Sequence, residues 1–375
     1  MQDDLRFLME VLQTVSDSGG NPQVVYPLLV KNVDKLNDEF RLTLHNWGTE
    51  KLQTAAPEKA RSIGAVIGTF VNLIQQFPLG SRANNLEIAI TGYKLLTIAF
   101  PRDSQAESWA ATQNNLANAY SDRINGSRAE NLERAIEYYQ AALIVYKLED
   151  FPEYWARTQN NLAAAYSDRI NGSRAENLEQ AIRFYKEALT VRTRQALPIN
   201  YVETLWNLGQ LYQEDQQWQN AYDTFAAAID TVELLRGEES TDDNRQKLAE
   251  EYNRIYLGMV EVCIALELYA EAVEYAERSK GQNLIELLSV KDLYPQGEIP
   301  PQVRQELQSL KDRIYEEDQR LKQAPEASPR KKLRPDHPTP VAVRHSLSLH
   351  SPKIPPNSKT SPRLHSPSRV VHSGR

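Results

Sequence analysis

The sequence contains a single cysteine, Cys263. One cysteine forms neither an internal disulfide nor a cysteine-cluster zinc site. No apolar run reaches the roughly 18 residues that a membrane span requires. The N-terminus, MQDDLRFLMEVLQ, is acidic where a secretory signal would be basic. These absences predict a cytoplasmic protein that does not interact with a membrane.

Charge and proline are unevenly distributed along the chain. Residues 324–375 hold 10 of the 20 prolines and no aromatic residue, and they carry 10 basic and two acidic side chains, a net charge of +8. The other residues, 1–323, therefore carry 43 − 10 = 33 basic and 50 − 2 = 48 acidic side chains, a net charge of −15. A segment of such composition buries too little apolar surface to offset its ordering entropy, so we predict a disordered tail.

The most informative feature is an internal repeat. The segment NNLANAYSDRINGSRAENLERAI at residues 114–136 returns at residues 160–182, 46 positions later, with two of its 23 residues changed. Residues 80–90 match residues 126–136 closely, Leu208 and Tyr212 continue the period toward the C-terminus, and a weaker unit follows around Met259. Self-similarity at a fixed spacing is typical of solenoids, in which each unit buries its apolar face against the next.

Each copy has the pattern of two helices joined by a turn. One apolar stripe with helical spacing begins at Leu116, Asn125-Gly126 interrupts it, and a second stripe begins at Leu132. Ser127 and Glu130 form a capping box ahead of the second stripe, and the same box returns 46 residues later. The repeat therefore predicts antiparallel helical hairpins.

The spacing of small and aromatic residues matches the tetratricopeptide pattern. The residues at this spacing are Leu208, Gly209, Tyr212, Ala221, Phe225 and Ala228. We predict an all-α, tetratricopeptide-type solenoid, a right-handed superhelix of five hairpins beginning near residues 63, 109, 155, 201 and 253. The predicted divisions are N-terminal capping helices at 1–62, five repeats at 63–285, a polar helical connector at 286–323 and the disordered basic tail at 324–375.

Three stretches together resemble a known family: IQQFPLGSRANNLEIAITGYKLL, NNLANAYSDRINGSRAENLERAIEYYQAAL and AERSKGQNLIELL. Residues 1–321 are similar to the N-terminal half of cyanobacterial tetratricopeptide proteins that continue into a CHAT domain, a caspase-like module. In that family the catalytic His–Cys pair lies in the C-terminal module. No residue of this sequence matches it, so the resemblance implies the repeats and not the protease activity.

Candidate catalytic residues are few. Cys263 stands where Tyr212 stands in the preceding unit, on the packing face of a helix, so we interpret it as a core residue rather than a nucleophile. His45 has no nearby set of metal ligands, and the five histidines of the tail lack metal-site spacing. Neither a phosphate loop nor a dinucleotide fingerprint is present. The sequence therefore predicts a protein that is not an enzyme, with no cofactor and no metal.

Asparagines recur on the first helix of successive units. An amide offers a donor and an acceptor together, which suits the backbone of an extended peptide, and the first helices line the inner wall of such a superhelix. The predicted peptide-binding residues are Asn114, Asn115, Asn118, Asn160, Asn161 and Asn207. We expect Asn114, Asn118 and Asn160 to face the groove and the other three to lie nearer the packing face. The alternative is that the amides only tie neighbouring helices together.

The repeated loop SDRINGSRAEN allows two interpretations as well. Asp122-Arg123, and the same pair 46 residues later, can form ion pairs with Arg128/Glu130 and Arg174/Glu176 of the same or the next unit. Alternatively, identical loops at a fixed pitch can serve as a ladder for a repetitive partner. We favour the ion pairs.

Three function classes remain open. The first is a protein-interaction scaffold that binds a peptide or protein partner in the concave groove, as the sensing or regulatory half of a CHAT protease system. The second is a fragment of a CHAT-type cysteine protease whose catalytic module lies outside this chain. The third, nucleic-acid binding through the tail, is disfavoured because the tail lacks aromatics for base stacking and the acidic body repels phosphate.

Overall fold

The computed structural model describes residues 2–238 and 242–290, and these residues form α-helices and no β-strand. The α-helices are α1 (Gln2–Ser18), α2 (Pro22–Lys31), α3 (Asp38–Thr54), α4 (Pro57–Gln76), α5 (Arg82–Ala99), α6 (Ala106–Ser121), α7 (Arg128–Ala142), α8 (Pro152–Ser167), α9 (Arg174–Leu189), α10 (Pro198–Glu214), α11 (Trp218–Glu238), α12 (Asp242–Ala265) and α13 (Tyr269–Val290). The all-α solenoid predicted from the sequence is confirmed. The predicted tail, and the predicted connector beyond residue 290, lie outside the described residues.

Three helices precede the first hairpin. A 3₁₀ turn at Val33–Lys35 separates α2 from α3, and the Asn37 side chain accepts a hydrogen bond from the Phe40 backbone N–H at the start of α3. Phe40 lies between Phe7 of α1 and Phe70 of α4, with ring centroids 5.3 and 6.1 Å apart. These buried rings join α1, α3 and α4 into one core, so the N-terminal end of the solenoid is covered.

Five hairpins follow, namely α4–α5, α6–α7, α8–α9, α10–α11 and α12–α13. Within each hairpin the two helices pack closely, and the second helix also contacts the next hairpin. Small residues permit this approach. A Cβ added at Gly209 would lie 2.3 Å from the ring of Phe225, so only glycine allows α10 and α11 to pack as they do.

The turn inside the α6–α7 hairpin is held by its own side chains. Gly126 has φ of 80°, a left-handed conformation that favours glycine. The Asn131 amide donates to the Asn125 backbone oxygen at 2.9 Å, and Ser127 accepts from the Glu130 backbone N–H as the capping box predicts. In the α8–α9 hairpin the turn and the asparagine bond recur, but Ser173 makes no such side-chain bond, so the capping prediction is wrong there.

Arginines of these turns connect neighbouring hairpins. Arg169 Nε and Nη2 donate to the two carboxylate oxygens of Glu133 at 2.8 and 2.9 Å. Arg123 binds Glu87 in the same way one hairpin earlier. The predicted pair of Arg128 with Asp168 is present at 2.8 Å. Arg123 and Arg169 reach back to glutamates of the preceding hairpin rather than to Glu130 and Glu176, because these turns lie beside the second helix of that hairpin.

Cys263 lies in the core of the last hairpin, with no exposed surface. Burial raises the pKa of its thiol to about 11, so the unreactive protonated form dominates at neutral pH. This environment agrees with its interpretation as a core residue. Among the described residues, no helix combines the length and apolar character needed to cross a membrane.

Candidate peptide-binding groove

Two adjoining pockets lie where the C-terminal halves of α4, α6 and α8 come together. One has a volume of about 430 Å³ and lies between α6 and α8, and the other, of about 450 Å³, lies between α4 and α6. Gln75, Asn118 and Asp122 line both pockets. We call this surface the inner groove, and its remaining members used below are Gln76, Arg82, Asn115, Arg128, Asn161, Ala164 and Asp168.

Asn118 lies at the centre of the inner groove. Its amide oxygen accepts from the Tyr139 hydroxyl at 2.6 Å and from the Asn161 amide at 3.1 Å. Both bonds use the oxygen, so the NH₂ group has no hydrogen-bond partner among the described residues. A similar bond joins the Tyr93 hydroxyl to Asn72 at 2.8 Å one hairpin earlier. In both hairpins a tyrosine hydroxyl of the second helix therefore donates to the amide oxygen of an asparagine on the first helix. The NH₂ group of that asparagine remains available to the pocket.

Asn114 and Asn160 have a different role. Asn114 is 1% exposed, and its amide oxygen accepts from the Thr158 hydroxyl at 3.2 Å. Asn160 is half-buried and accepts in the same way from Thr204 at 3.0 Å. These bonds tie the first helices of successive hairpins together. The expectation that Asn114 faces the groove is therefore corrected: its side chain is buried between α6 and α8, because that face of the helix meets the next hairpin.

The remaining asparagines divide between the pocket and the packing. Asn115, which we expected nearer the packing face, lines the pocket between α4 and α6, is half-buried, and forms no hydrogen bond with a described side chain. Asn161 lines the other pocket, where its amide is engaged with Asn118. Asn207 lies beside the Tyr185 hydroxyl of the preceding hairpin and lines neither of the two pockets. Sequence reasoning also missed Gln75, Gln76 and Ala164 as lining residues. The 46-residue offset from Asn118 could have indicated Ala164.

Charges at the edge of the inner groove are paired between hairpins. Arg82 lies 3.3 Å from Asp122, and Arg128 lies 2.8 Å from Asp168. Arg82 and Arg128 also donate to backbone oxygens of Gln75 and Ser121, at the C-terminal ends of α4 and α6. Burial raises the pKa of Asp122, against the opposing effect of the two arginines. The edge therefore holds balanced charges, and the floor of the groove holds neutral amides.

The chemistry available in the groove is hydrogen bonding. Its floor presents amide donors beside the paired carboxylates of Asp122 and Asp168, and the described residues contain no group of side chains that could hold a metal ion. Burial raises the pKa of Tyr139 far above its usual value, so its hydroxyl stays a donor to Asn118. The arrangement suits recognition of polar backbone groups.

One protein-family model matches part of the sequence. The tetratricopeptide repeat model matches residues 109–147 and 155–190, which span the hairpins α6–α7 and α8–α9. No curated protein matches the sequence.

Similar solved structures share little sequence with this chain. The crystal structure of BtubC (BKLC) from P. vanneervenii aligns with a TM-score of 0.47 and 16% identity, covering 69% of this chain and 96% of that chain. Two structures of MamA align with TM-scores of 0.37 and 0.40 and identities of 16% and 17%, covering 54% and 64% of this chain and 91% and 98% of theirs. The helical hairpins and the matched repeat model together show a solenoid fold of the tetratricopeptide type, in which the hairpins α6–α7 and α8–α9 match the repeat model.

Proposed function

We propose that this chain is a protein-interaction scaffold that holds an extended segment of a partner in the inner groove. The observation that carries the proposal is the set of unpaired amide donors lining two adjoining pockets, at Asn115 and Asn118, above a fixed layer of hydrogen bonds. Such donors can bind carbonyl oxygens of a peptide backbone with little dependence on its side chains. Asn114 is left out of the proposed contacts because it is buried.

Ala164 offers the sharpest test of the groove. It is exposed, it lines the pocket between α6 and α8, and it occupies the position of Asn118 in the next hairpin. Ala164→Trp would fill this pocket without removing any of the hydrogen bonds described above. We expect peptides selected from a random library against the full chain to lose about tenfold or more in affinity for Ala164→Trp. Gln140→Trp, an exposed substitution on α7 outside the pockets, is the matched control and should bind normally.

Asn115→Ala tests the amide contact itself. One hydrogen bond contributes about 0.5–1.5 kcal/mol, so the variant should bind about two- to tenfold more weakly. Because the amide is neutral, this difference should change little with salt concentration. Equal binding by wild type, Ala164→Trp and Asn115→Ala, with all three folded, would show that the groove is not the binding surface.

The resemblance to CHAT-associated proteins adds a finer proposal, that the scaffold is the sensing half of a CHAT protease system. This finer proposal is supported only by the sequence resemblance of residues 1–321. The alternative is that the chain is a fragment of such a protease. The nucleotide sequence beyond codon 321 tests it, since another reading frame encoding a CHAT module would favour the fragment.

A further inference from the structure

The outer face of α12–α13, the last hairpin among the described residues, exposes a row of large apolar residues. Leu257 and Ile264 of α12 are 55% and 52% exposed, and Tyr269 and Val273 of α13 are 62% and 58% exposed. Residues seven or four positions apart share one face of a helix, so each pair forms a stripe. We call these four residues the end face. Contiguous exposed apolar residues of this kind indicate an interaction site.

The fourth hairpin shows what such a face contacts. Its turn contains Gln216 with φ of 56°, and the turn of the fifth hairpin contains Glu267 with φ of 60°, 51 positions later. Superposing these two left-handed turn residues places the hairpins α10–α11 and α12–α13 in register. The residues 51 positions before Leu257, Ile264 and Val273 are then Trp206, Gln213 and Tyr222.

All three of these earlier residues contact the following hairpin. The Arg254 guanidinium of α12 lies 5.2 Å from the centre of the Trp206 ring. Gln213 donates to a backbone oxygen of α12 at 3.3 Å, and the Tyr222 hydroxyl donates to Glu271 of α13 at 2.6 Å. The face equivalent to the end face is thus covered by helices, so the end face occupies the position at which the preceding hairpin accepts a helix.

The surroundings of the end face are acidic. Exposed acidic side chains outnumber exposed basic ones in the described part of this hairpin. The acidic residues are Glu250, Glu251, Glu261, Glu267, Glu274 and Glu277, and the basic residues are Lys247 and Arg254. Some of these charges are engaged. Arg254 lies over Trp206, Glu261 accepts from Gln213 at 3.4 Å, and Arg278 pairs with Glu233 at 2.5 Å and with Glu274 at 3.8 Å. A helix that covers the end face therefore meets an excess of negative charge around an apolar stripe.

We propose that the end face is a second docking site, distinct from the inner groove, and that its occupant is an amphipathic α-helix of a partner protein with lysine or arginine flanking its apolar stripe. The apolar stripe of the partner helix would contact the end face in the way that α12 contacts the fourth hairpin. Its basic flanks would complement the glutamates and speed association at low salt.

Two synthetic helical peptides test this proposal with the full chain. Both keep the buried stripe of α12, Tyr252, Ile255, Met259 and Val262, and they carry either lysine or glutamate at the exposed positions. In fluorescence-anisotropy titrations we expect the lysine peptide to bind about tenfold or more tightly than the glutamate peptide, with affinity that falls as salt rises. The double substitution Leu257→Ser/Val273→Ser should reduce the affinity for the lysine peptide by about tenfold or more. Leu234→Ser, at a residue of α11 that is 46% exposed, is the matched control and should leave the affinity for the lysine peptide unchanged.

Five outcomes would overturn the proposal. The lysine peptide fails to bind, or both peptides bind equally. The double substitution leaves binding unchanged. The full chain forms a concentration-dependent dimer that Leu257→Ser/Val273→Ser dissociates, which would make a second copy the occupant. The chain shortened after Val290 binds the peptide where the full chain does not, which would make residues of this chain the occupant. Ala164→Trp should bind the lysine peptide normally, so failure here is separable from failure of the groove.

Discussion

Asn114 and Asn115 are adjacent in the sequence and have opposite environments. Asn114 is 1% exposed and bonded to Thr158 of the next hairpin, whereas Asn115 lines a pocket and forms no such bond. Successive helical residues differ in direction by about 100°, so one amide of the pair stabilises the stack and the other faces the groove. The same residue type thus packs between helices at one position and lines the groove at the next.

Asn114→Ala should therefore destabilise the fold, and Asn115→Ala should not. Removing the Asn114 amide loses an interhelical hydrogen bond and leaves space in a packed interior, so we expect a loss of about 1–2 kcal/mol in the free energy of unfolding. The surface change at Asn115 should alter it by less than about 0.5 kcal/mol. Denaturant unfolding followed by circular dichroism measures both. An unchanged unfolding midpoint for Asn114→Ala would contradict a packing role.

The repeat and the hairpin could be predicted from the sequence because they depend on local patterns: the apolar stripes, the Asn-Gly turns and the capping serine ahead of α7. The direction in which each asparagine side chain points could not be predicted from the sequence. It depends on the rotation of α6 against α8, which is set by contacts between residues 44 positions apart, such as Asn114 with Thr158. The sequence predicted Asn115 as a binding residue but placed it nearer the packing face, and Ala164 was not predicted at all, because both assignments depend on how three first helices enclose two pockets.

At the scale of the element, each turn acts as a connection between hairpins. Arg169 forms two hydrogen bonds with Glu133 of the preceding hairpin, and both side chains are less than a third exposed. Bidentate pairs of this kind are stronger than the single surface contact of Arg134 with Glu137, whose side chains are 60% and 61% exposed. The stacking of hairpins therefore depends partly on the ionised state of Glu133.

The contribution of Glu133 should depend on pH. Hydrogen bonds from Arg169 lower the pKa of this carboxyl below its ordinary value of 4.5, so its stabilising effect is present above that value and is lost as pH falls through the lower, folded-state pKa. Glu133→Gln should reduce the free energy of unfolding by about 1 kcal/mol at neutral pH, and this difference should disappear under acid conditions.

Glu137→Gln is the matched control for that measurement. Its carboxylate is exposed and pairs only within its own helix, so it should change stability by no more than about 0.5 kcal/mol at any pH. Denaturant unfolding at a series of pH values compares the two variants. If the effect of Glu133→Gln persists unchanged into acid, the ion pair is not its cause.

At the scale of the whole solenoid, the contacts between hairpins recur at constant offsets. Arg123 with Glu87 and Arg169 with Glu133 are both 36 positions apart. The bonds of Thr158 with Asn114 and of Thr204 with Asn160 span 44 positions each, and the pairs of Arg128 with Asp168 and of Arg174 with Glu214 span 40. Successive hairpins therefore contact one another through equivalent surfaces, so each hairpin must match both the preceding and the following one. This need to match on both sides accounts for the near identity of the two copies.

An in-register deletion should consequently give a shorter folded solenoid. Removing the 46 residues 122–167 joins Ser121 to Asp168, so that α6 continues into the turn and helix α9. Glu87 then faces Arg169, and Asn114 faces Thr204, in place of their identical original partners. We expect a cooperative unfolding transition with a denaturant dependence reduced by about a fifth, since one of five hairpins is lost.

An out-of-register deletion provides the contrast. Removing residues 122–157 joins Ser121 to Thr158, which fuses α6 with α8 and displaces every contact between hairpins at this point. This variant should lose cooperative unfolding while keeping much of its helical circular dichroism, because its local helical patterns persist without matched surfaces. Equal cooperativity in the two deletions would mean that stacking does not depend on these repeated contacts. Loss of cooperativity in both would mean that the two copies are not interchangeable.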